Sequence, residues 1–214
     1  GITIFERMQK IGGMLRYGIP DFRLPPSTID RYGEKLHTLG IHIRPNTTIG
    51  GALSVDDLFR DGYEAIFMGT GAWRAKTLGI HGETLGNCHY AVDYLKNPDV
   101  YHLGDRVAII GSGNSAMDAA RTAVRKGSRY VTIYARRNGI SASERELEYA
   151  LADGCEIQYA KGIHSLTPEG PMMYDRVFDE EQNLISEGEP YLIPADSIVI
   201  AASQAAKDKI VRTT

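Results

Sequence analysis

Apolar residues in this chain fall in short clusters whose spacing alternates between strand and helix periods. Ile2 to Phe5 (ITIF) is an apolar run of strand length, followed by a Gly- and Pro-rich stretch from Lys10 to Pro26. Ser27, with Asp30 three residues on, predicts a helix N-cap. Ile29, Tyr32, Leu36 and Leu39 then share one face before Gly40 stops the helix. Ile41 to Arg44 alternates as a short strand would, and Ser54 is placed to cap a helix over Val55 to Phe59. Tyr63 to Met68 (YEAIFM) predicts a buried strand ending in Gly69-Thr70-Gly71. Strand, helix, strand, helix, strand is the rhythm of an α/β sheet.

A polar connection through Asn97-Pro98-Asp99 leads to Gly104, where a second unit begins. Arg106 to Ile110 predicts a strand, and the next helix groups Ala116, Met117, Ala120, Ala123 and Val124 on one face. Arg125 and Lys126 suit the negative end of that helix, Gly127 ends it, and Tyr130 to Ala135 completes a βαβ unit. Beyond it the pattern predicts a helix over Ser143 to Leu151 and a strand over Glu156 to Tyr159. A β-meander follows from Met173 to Phe178, the turn Asp179 to Asn183, and Leu184 to Ile193. A last buried strand runs over Ser197 to Ala202.

The βαβ unit carries a candidate site. Gly111-Ser112-Gly113-Asn114-Ser115-Ala116 reads GxGxxA. Gly111 permits a tight turn, Gly113 lets the backbone approach a pyrophosphate, and Ala116 keeps helix and sheet close. The N–H groups at the helix start, aided by the dipole, suit phosphate oxygens. The same turn also occurs as a plain strand–helix connection, but strand, helix face and second strand all fall in register with the dinucleotide reading. At the end of the second strand, where NAD binders carry Asp or Glu, this chain has Arg136 and Arg137. Guanidinium forks match a 2′-phosphate bidentately, so the pair selects NADPH, unless it is an ordinary surface basic pair. In the first unit Glu6 ends a strand as a ribose-binding carboxylate would, yet only Gly1 precedes that strand and no phosphate loop stands before it.

Charge and composition remove other classes. A net charge of −3 and a pI near 6.1 argue against a nucleic-acid partner, and no apolar run reaches the length of a membrane span. Cys88 and Cys155 stand apart, without CxxC spacing, as reduced cytoplasmic thiols do, and the six histidines show no metal-ligand spacing.

Two stretches resemble a known family. GGMLRYGIPDFRLP (Gly12 to Pro25) and GSGNSAMDAARTAVRKGSRYVTIYARR (Gly111 to Arg137) are similar to the small, β-chain subunit of NADPH-dependent glutamate synthase. They also resemble the flavin and NADPH domains of dihydropyrimidine dehydrogenase and ferredoxin–NADP transhydrogenases. The resemblance implies a Rossmann-like FAD/NAD(P)-binding α/β fold, with an NADPH domain inserted in an FAD domain. Residues 1–103 would be an incomplete FAD-binding domain lacking its phosphate loop, 104–204 the NADPH domain, and 205–214 a truncated return to the first. It implies an internal piece of a longer oxidoreductase, in which NADPH gives a hydride to FAD and electrons pass to a large subunit or another acceptor. The alternatives are a non-catalytic NADP(H)-binding module, or the electron-input module of a dihydropyrimidine dehydrogenase- or transhydrogenase-like enzyme. Carried over by position, Glu6, Gly12, Gly13, Met14, Arg23, Ile49, Thr70 and Gly71 would face FAD. Gly111, Ser112, Gly113, Asn114, Ser115, Arg136, Arg137, Ala201 and Ser203 would face NADPH. Ser203 stands where the family usually has Gly. No catalytic acid, base or nucleophile is implied, since the cofactors carry the chemistry. The expectation for the chain as given is that it holds no FAD, and that strand edges in its first part favour self-association.

Overall fold

The apolar run at Arg106–Ile110 is buried on both faces in the computed structural model, which describes residues 1–51 and 53–206. Chain contacts divide the protein into two units, one from Gly1 to Arg74 with the chain from Ala205, the other from Ala75 to Gln204.

The first unit holds β1 (Thr3–Phe5), α1 (Gly13–Tyr17), α2 (Pro26–Thr38), β2 (His42–Arg44) and α3 (Val55–Arg60). Strands β1 and β2 pair in parallel, Ile4 opposite Ile43. α3 begins with the capping box its sequence promises: Ser54 Oγ accepts from the Asp57 N–H while the Asp57 carboxylate accepts from the Ser54 N–H. α2 starts differently from the expectation at Ser27. Pro25 is the cap residue and Pro26 the first helical position, where a missing N–H costs nothing, so Ser27 lies inside the first turn. Its predicted apolar face is only partly used: Ile29 is buried, whereas Tyr32 and Leu39 are exposed. Within the stretch expected to be loop, Gly13–Tyr17 is helical.

The strand expected over Tyr63 to Met68 is not formed. These residues make no ladder among the described residues, and Phe67 is 96% exposed. A strand needs a hydrogen-bonded neighbour, and the two-stranded β1–β2 sheet does not extend to it. Tyr63 is anchored, its hydroxyl donating to Thr3 Oγ1 at 3.0 Å and its ring edge-on to Phe5.

The chain passes between the units at β3 (Arg74–Ala75) and β13 (Gln204–Ala205). The second unit contains β4 (Cys88–Tyr90), α4 (Ala91–Lys96), a 3₁₀ turn over Pro98–Val100, β5 (Arg106–Ile110), α5 (Asn114–Arg125), β6 (Tyr130–Tyr134), α6 (Glu144–Ala152) and β7 (Glu156–Gln158). It continues through β8 (Lys161–Thr167), β9 (Gly170–Phe178), β10 (Leu184–Glu187), β11 (Tyr191–Leu192) and β12 (Ser197–Ile200). Five parallel strands form its sheet in the order β4-β12-β5-β6-β7. By chain contacts residues 75–103 group with this unit, since β4 pairs with β12.

Each face of the sheet has its own cover. Val107, Ile109, Val131, Ile133 and Val199 pack beneath the alanines and Met117 of α5, with Tyr94 and Ala150 alongside. Ala108, Ile110, Ile198 and Ile200 pack on the other face against Leu166 and Met173 of an antiparallel layer in which β8, β10 and β11 all pair with β9. Each such fully buried Ile or Met contributes roughly 1.5–3 kcal/mol. Strand β8 was not expected, and the meander's last arm is two strands: Gly188-Glu189-Pro190 interrupts it, and proline has no N–H to give to a ladder.

α5 and α6 are joined by charge as well as packing. Arg121, its side chain 8% exposed, donates to Asp153 at 2.9 Å and to Glu146 at 3.4 Å, and Arg125 takes the other side of Asp153. Burial acts to raise the Asp153 carboxyl, but the hydrogen bonds from Arg121 and Arg125 outweigh it and hold the group below its ordinary value of 3.8. A carboxyl depressed on folding stabilises above its unfolded pKa, and that stabilisation is lost as pH falls through the folded value. Arg121→Ala should therefore destabilise the second unit by about 3 kcal/mol at pH 7. In urea unfolding, the gap between variant and unmodified protein should narrow once the pH is brought below 3.8. A gap that stays the same at both pH values would remove this network from the account of stability.

Candidate nucleotide-binding site

The turn between β5 and α5 is set by one close approach. Gly111 has φ 145°, and a Cβ built on it would stand 2.5 Å from the Ala201 carbonyl oxygen. No L-side chain fits there, so the chain can leave β5 beside the end of β12 only with glycine. Gly111 N–H donates to the Tyr134 carbonyl and Ala201 N–H to the Ile110 carbonyl, which fixes the turn against both neighbouring strands.

Gly113 is the N-cap of α5. Its carbonyl accepts from Ala116 and Met117, no side chain caps the helix, and the first turn holds no acidic residue. The N–H groups of Asn114 and Ser115 accordingly have no acceptor among the described residues. A Cβ on Gly113 would touch only Ser141 Oγ, at 3.6 Å. A methyl group would therefore fit above Gly113 in ordinary contact. The two glycines therefore differ: Gly111 is required by the fold, Gly113 leaves room over a positive helix end.

The segment after β6 folds back over this turn. Ser112 accepts at its carbonyl from the N–H groups of Ser141 (2.9 Å) and Ala142 (2.8 Å), and its hydroxyl lies 3.3 Å from that of Ser141. Asn114 Oδ1 accepts from Ser143 N–H at 3.0 Å, and Ser143 in turn caps α6. Arg136 and Arg137 head this segment, both exposed, with no ion pair among the described residues. The structure thus brings Gly111, Ser112, Gly113, Asn114 and Ser115 into one turn, with Ala201 against it and the arginine pair at the end of the adjacent strand. Ser203 is exposed, its carbonyl accepting from Lys76 N–H at 3.0 Å. Sequence reasoning missed Ser141, Ala142 and Ser143; the only signal was a polar SAS run just before the α6 pattern.

In the first unit, Glu6 follows β1. Its carboxylate accepts from Met8 N–H at 2.7 Å, and its backbone joins Arg44 and Thr47. Gly12 caps α1, with a Cβ position only 2.8 Å from Ile29 Cγ2, and the Met14 carbonyl accepts from Gly18 and Ile19. The Gly12-Gly13-Met14 turn is thus the start of a helix, held by packing on α2. Arg16, which sequence reasoning passed over, pins the two helices through Asp30 at 2.6 Å. Arg23 is half-buried, Ile49 forms an isolated bridge with Leu53, and Thr70 and Gly71 are exposed in the stretch without a ladder. No hydrogen bond among the described residues joins Thr70 or Gly71 to Glu6.

The two cysteines are unpaired, and burial pushes each thiol to about 11. Among the described residues no group of three His, Cys, Asp or Glu side chains could hold a metal, and no helix is long and apolar enough to cross a membrane.

A parallel sheet with helices on one face, an antiparallel layer on the other, and a Gly-rich turn at the carboxyl end of a central strand is the arrangement of a Rossmann-like dinucleotide-binding domain. Residues 35–213 match the family described as pyridine nucleotide-disulphide oxidoreductase, and the chain belongs to it. It is similar to the glutamate synthase (NADPH) small chain of Escherichia coli, 28% identical over 93% of this chain and 48% of that protein. It is also similar to the NADP(+)-dependent formate dehydrogenase subunit beta of Moorella thermoacetica, 32% identical over 96% of this chain and 32% of that one. The chain therefore spans at most about half the length of these relatives. Among solved structures, FprA of Mycobacterium tuberculosis in complex with NADPH shares the fold, with a TM-score of 0.74 and 18% identity over 94% of this chain and 63% of that chain.

The contrast between the two glycines is testable. Gly111→Ala should lower the unfolding free energy by about 1–3 kcal/mol through strain at positive φ, with the collision at Ala201 added to it. Gly113→Ala should leave stability within about 0.5 kcal/mol, as substitutions outside packed or strained positions do. Denaturant titration of both variants decides; equal losses would show that the turn is not built on the Gly111 approach.

Proposed function

We propose that this chain is the NADP(H)-binding part of a flavin oxidoreductase of the glutamate synthase small-subunit type. The observation that carries the reading is a conjunction within the second unit. An uncapped helix start, with room for a Cβ at Gly113, lies next to a parallel strand followed by two exposed arginines that have no carboxylate partner among the described residues. Backbone N–H groups of Asn114 and Ser115 would hold the pyrophosphate, and Ser112 and Ser141 hydroxyls stand beside them. Arg136 and Arg137 would take the 2′-phosphate, and Ala201 would border the path toward the nicotinamide.

FAD fits the described residues only in part. The Glu6 carboxylate has one oxygen engaged with Met8 and one without a partner, as a ribose hydroxyl requires. The glycine pair Gly12-Gly13 follows β1 at the start of α1, but a Cβ on Gly12 would stand 2.8 Å from Ile29 Cγ2 and α1 is one short helix of five residues, so that turn is closed by packing and is not a pyrophosphate cradle. Gly12, Gly13, Met14, Arg23, Ile49, Thr70 and Gly71 are proposed FAD neighbours in the longer protein. Bound there beside the NADP(H) site, FAD would supply the hydride-accepting chemistry, with a large subunit or another acceptor as the destination of the electrons. The similarity to a formate dehydrogenase subunit favours leaving the acceptor open.

The test is cofactor choice. A charge-assisted guanidinium–phosphate contact is worth on the order of 1.5–3 kcal/mol, enough for at least tenfold discrimination. The protein should bind NADPH at least about tenfold tighter than NADH, and replacing Arg136 and Arg137 together by Ala should remove most of that preference while NADH affinity stays nearly unchanged. Calorimetric titration of both nucleotides against both proteins reads this directly. Equal affinities in the unmodified protein would sink the assignment.

A further inference from the structure

Arg136 and Arg137 sit on an exposed segment without regular hydrogen bonding, yet phosphate recognition needs two long side chains held in a common direction. What holds them converges on one residue in the antiparallel layer. Arg176 of β9, its side chain 7% exposed, donates from Nη1 to the Arg136 carbonyl at 3.2 Å. Its Nε donates to Glu187 of β10 at 2.9 Å, and its guanidinium stands over the Phe178 ring at 5.2 Å. The Arg176 N–H donates to the Ala160 carbonyl at 2.8 Å, and Ala160 N–H donates to the Arg137 carbonyl at 3.1 Å. Both arginine carbonyls are thus fixed through residue 176, one by its side chain and one through its backbone.

We propose that Arg176, neutralised by Glu187, is a positioning residue for 2′-phosphate selectivity. This rests on the NADP(H) reading above. The charge of Arg176 is committed to Glu187 and its second donor to a backbone carbonyl, so it acts through Arg136 and Arg137. Ordering an arginine pair on a loose segment costs conformational entropy at the moment of binding. A backbone already tied at both carbonyls spares part of that cost, and only the nucleotide carrying the 2′-phosphate benefits. A lysine cannot replace the fork, because one ammonium on a flexible stem does not reach Glu187 and the carbonyl in the same fixed plane.

The experiment titrates the protein with NADPH and NADH by calorimetry, with urea unfolding to check the fold. Arg176→Gln and Arg176→Lys should each reduce the NADPH-over-NADH ratio several-fold, with NADH affinity unchanged. In the background lacking the Arg136 and Arg137 side chains, Arg176→Gln should reduce it no further. Glu187→Gln, at a half-exposed position, should fold as the unmodified protein does and lose part of the ratio. A full ratio in Arg176→Lys with a reduced one in Arg176→Gln would show that bare charge matters, and would overturn positioning. So would a further drop in the double-arginine background, which would mean direct phosphate contact. An unmodified protein that discriminates, an Arg136/Arg137 variant that does not, and Arg176 and Glu187 variants that do would defeat this inference alone. Equal affinities in the unmodified protein would defeat it together with the NADP(H) reading.

Discussion

The second unit is organised around the approach of Gly111 to the Ala201 carbonyl. Strand β5 must leave the sheet beside the end of β12, and it does so at a distance where a Cβ would be 2.5 Å from a carbonyl oxygen. Because the turn is that tight, α5 starts directly over the carboxyl end of the sheet. Its unbonded N–H groups then lie at the carboxyl end of the sheet, where β6 is the neighbour of β5. The alanines that follow are small enough for the helix to lie close on Val107, Ile109 and Val131. A larger residue at Ala116 or Ala120 would lift the helix, and with it the positive end that a phosphate would meet. The fold and the site therefore share one steric constraint.

The parts legible in the sequence were those governed by local rules. The βαβ unit, the Ser54 capping box and the glycines that end helices all depend on residues within a few positions of each other. Gly127, for example, ends α5 at φ 105° with Ser128 N–H returning to the Ala123 carbonyl, a bond pattern that the helix pattern plus Gly predicts. Tyr63 to Met68 failed for the opposite reason. Its apolar content matches a strand, but a strand is a paired object, and composition says nothing about whether a neighbour is present. The fringe of the sheet escaped for a related reason: β4 is three residues long, and only its register against Ile198 to Ile200 makes it a strand.

The site shows the same division. The glycines, Asn114 and the arginine pair form a contiguous pattern that a sequence displays. The groups that hold them do not. Ser141, Ala142 and Ser143 reach the turn at Ser112 and Asn114 only because the chain folds back after β6, and Glu146 and Asp153 meet Arg121 only because α6 packs on α5. Such contacts join residues 25 to 32 positions apart, beyond any periodicity.

A longer connection, from Arg176 to Arg136, links the segment after β6 to the antiparallel layer. Its apolar side is explained by burial, since Leu166 and Met173 cover Ile110, Ile198 and Ile200. Burial alone does not call for Arg176, a nearly buried cation of the central strand β9, 40 positions from the carbonyl it holds and balanced by a carboxylate from β10. An ion pair whose acidic partner is half-exposed adds little net stability. Its geometry, however, directs one donor to Arg136 and aligns the backbone that supports Arg137. The layer thus does two physically separate things. It closes the hydrophobic face of the sheet, and through Arg176 it ties down the irregular segment that carries Arg136 and Arg137.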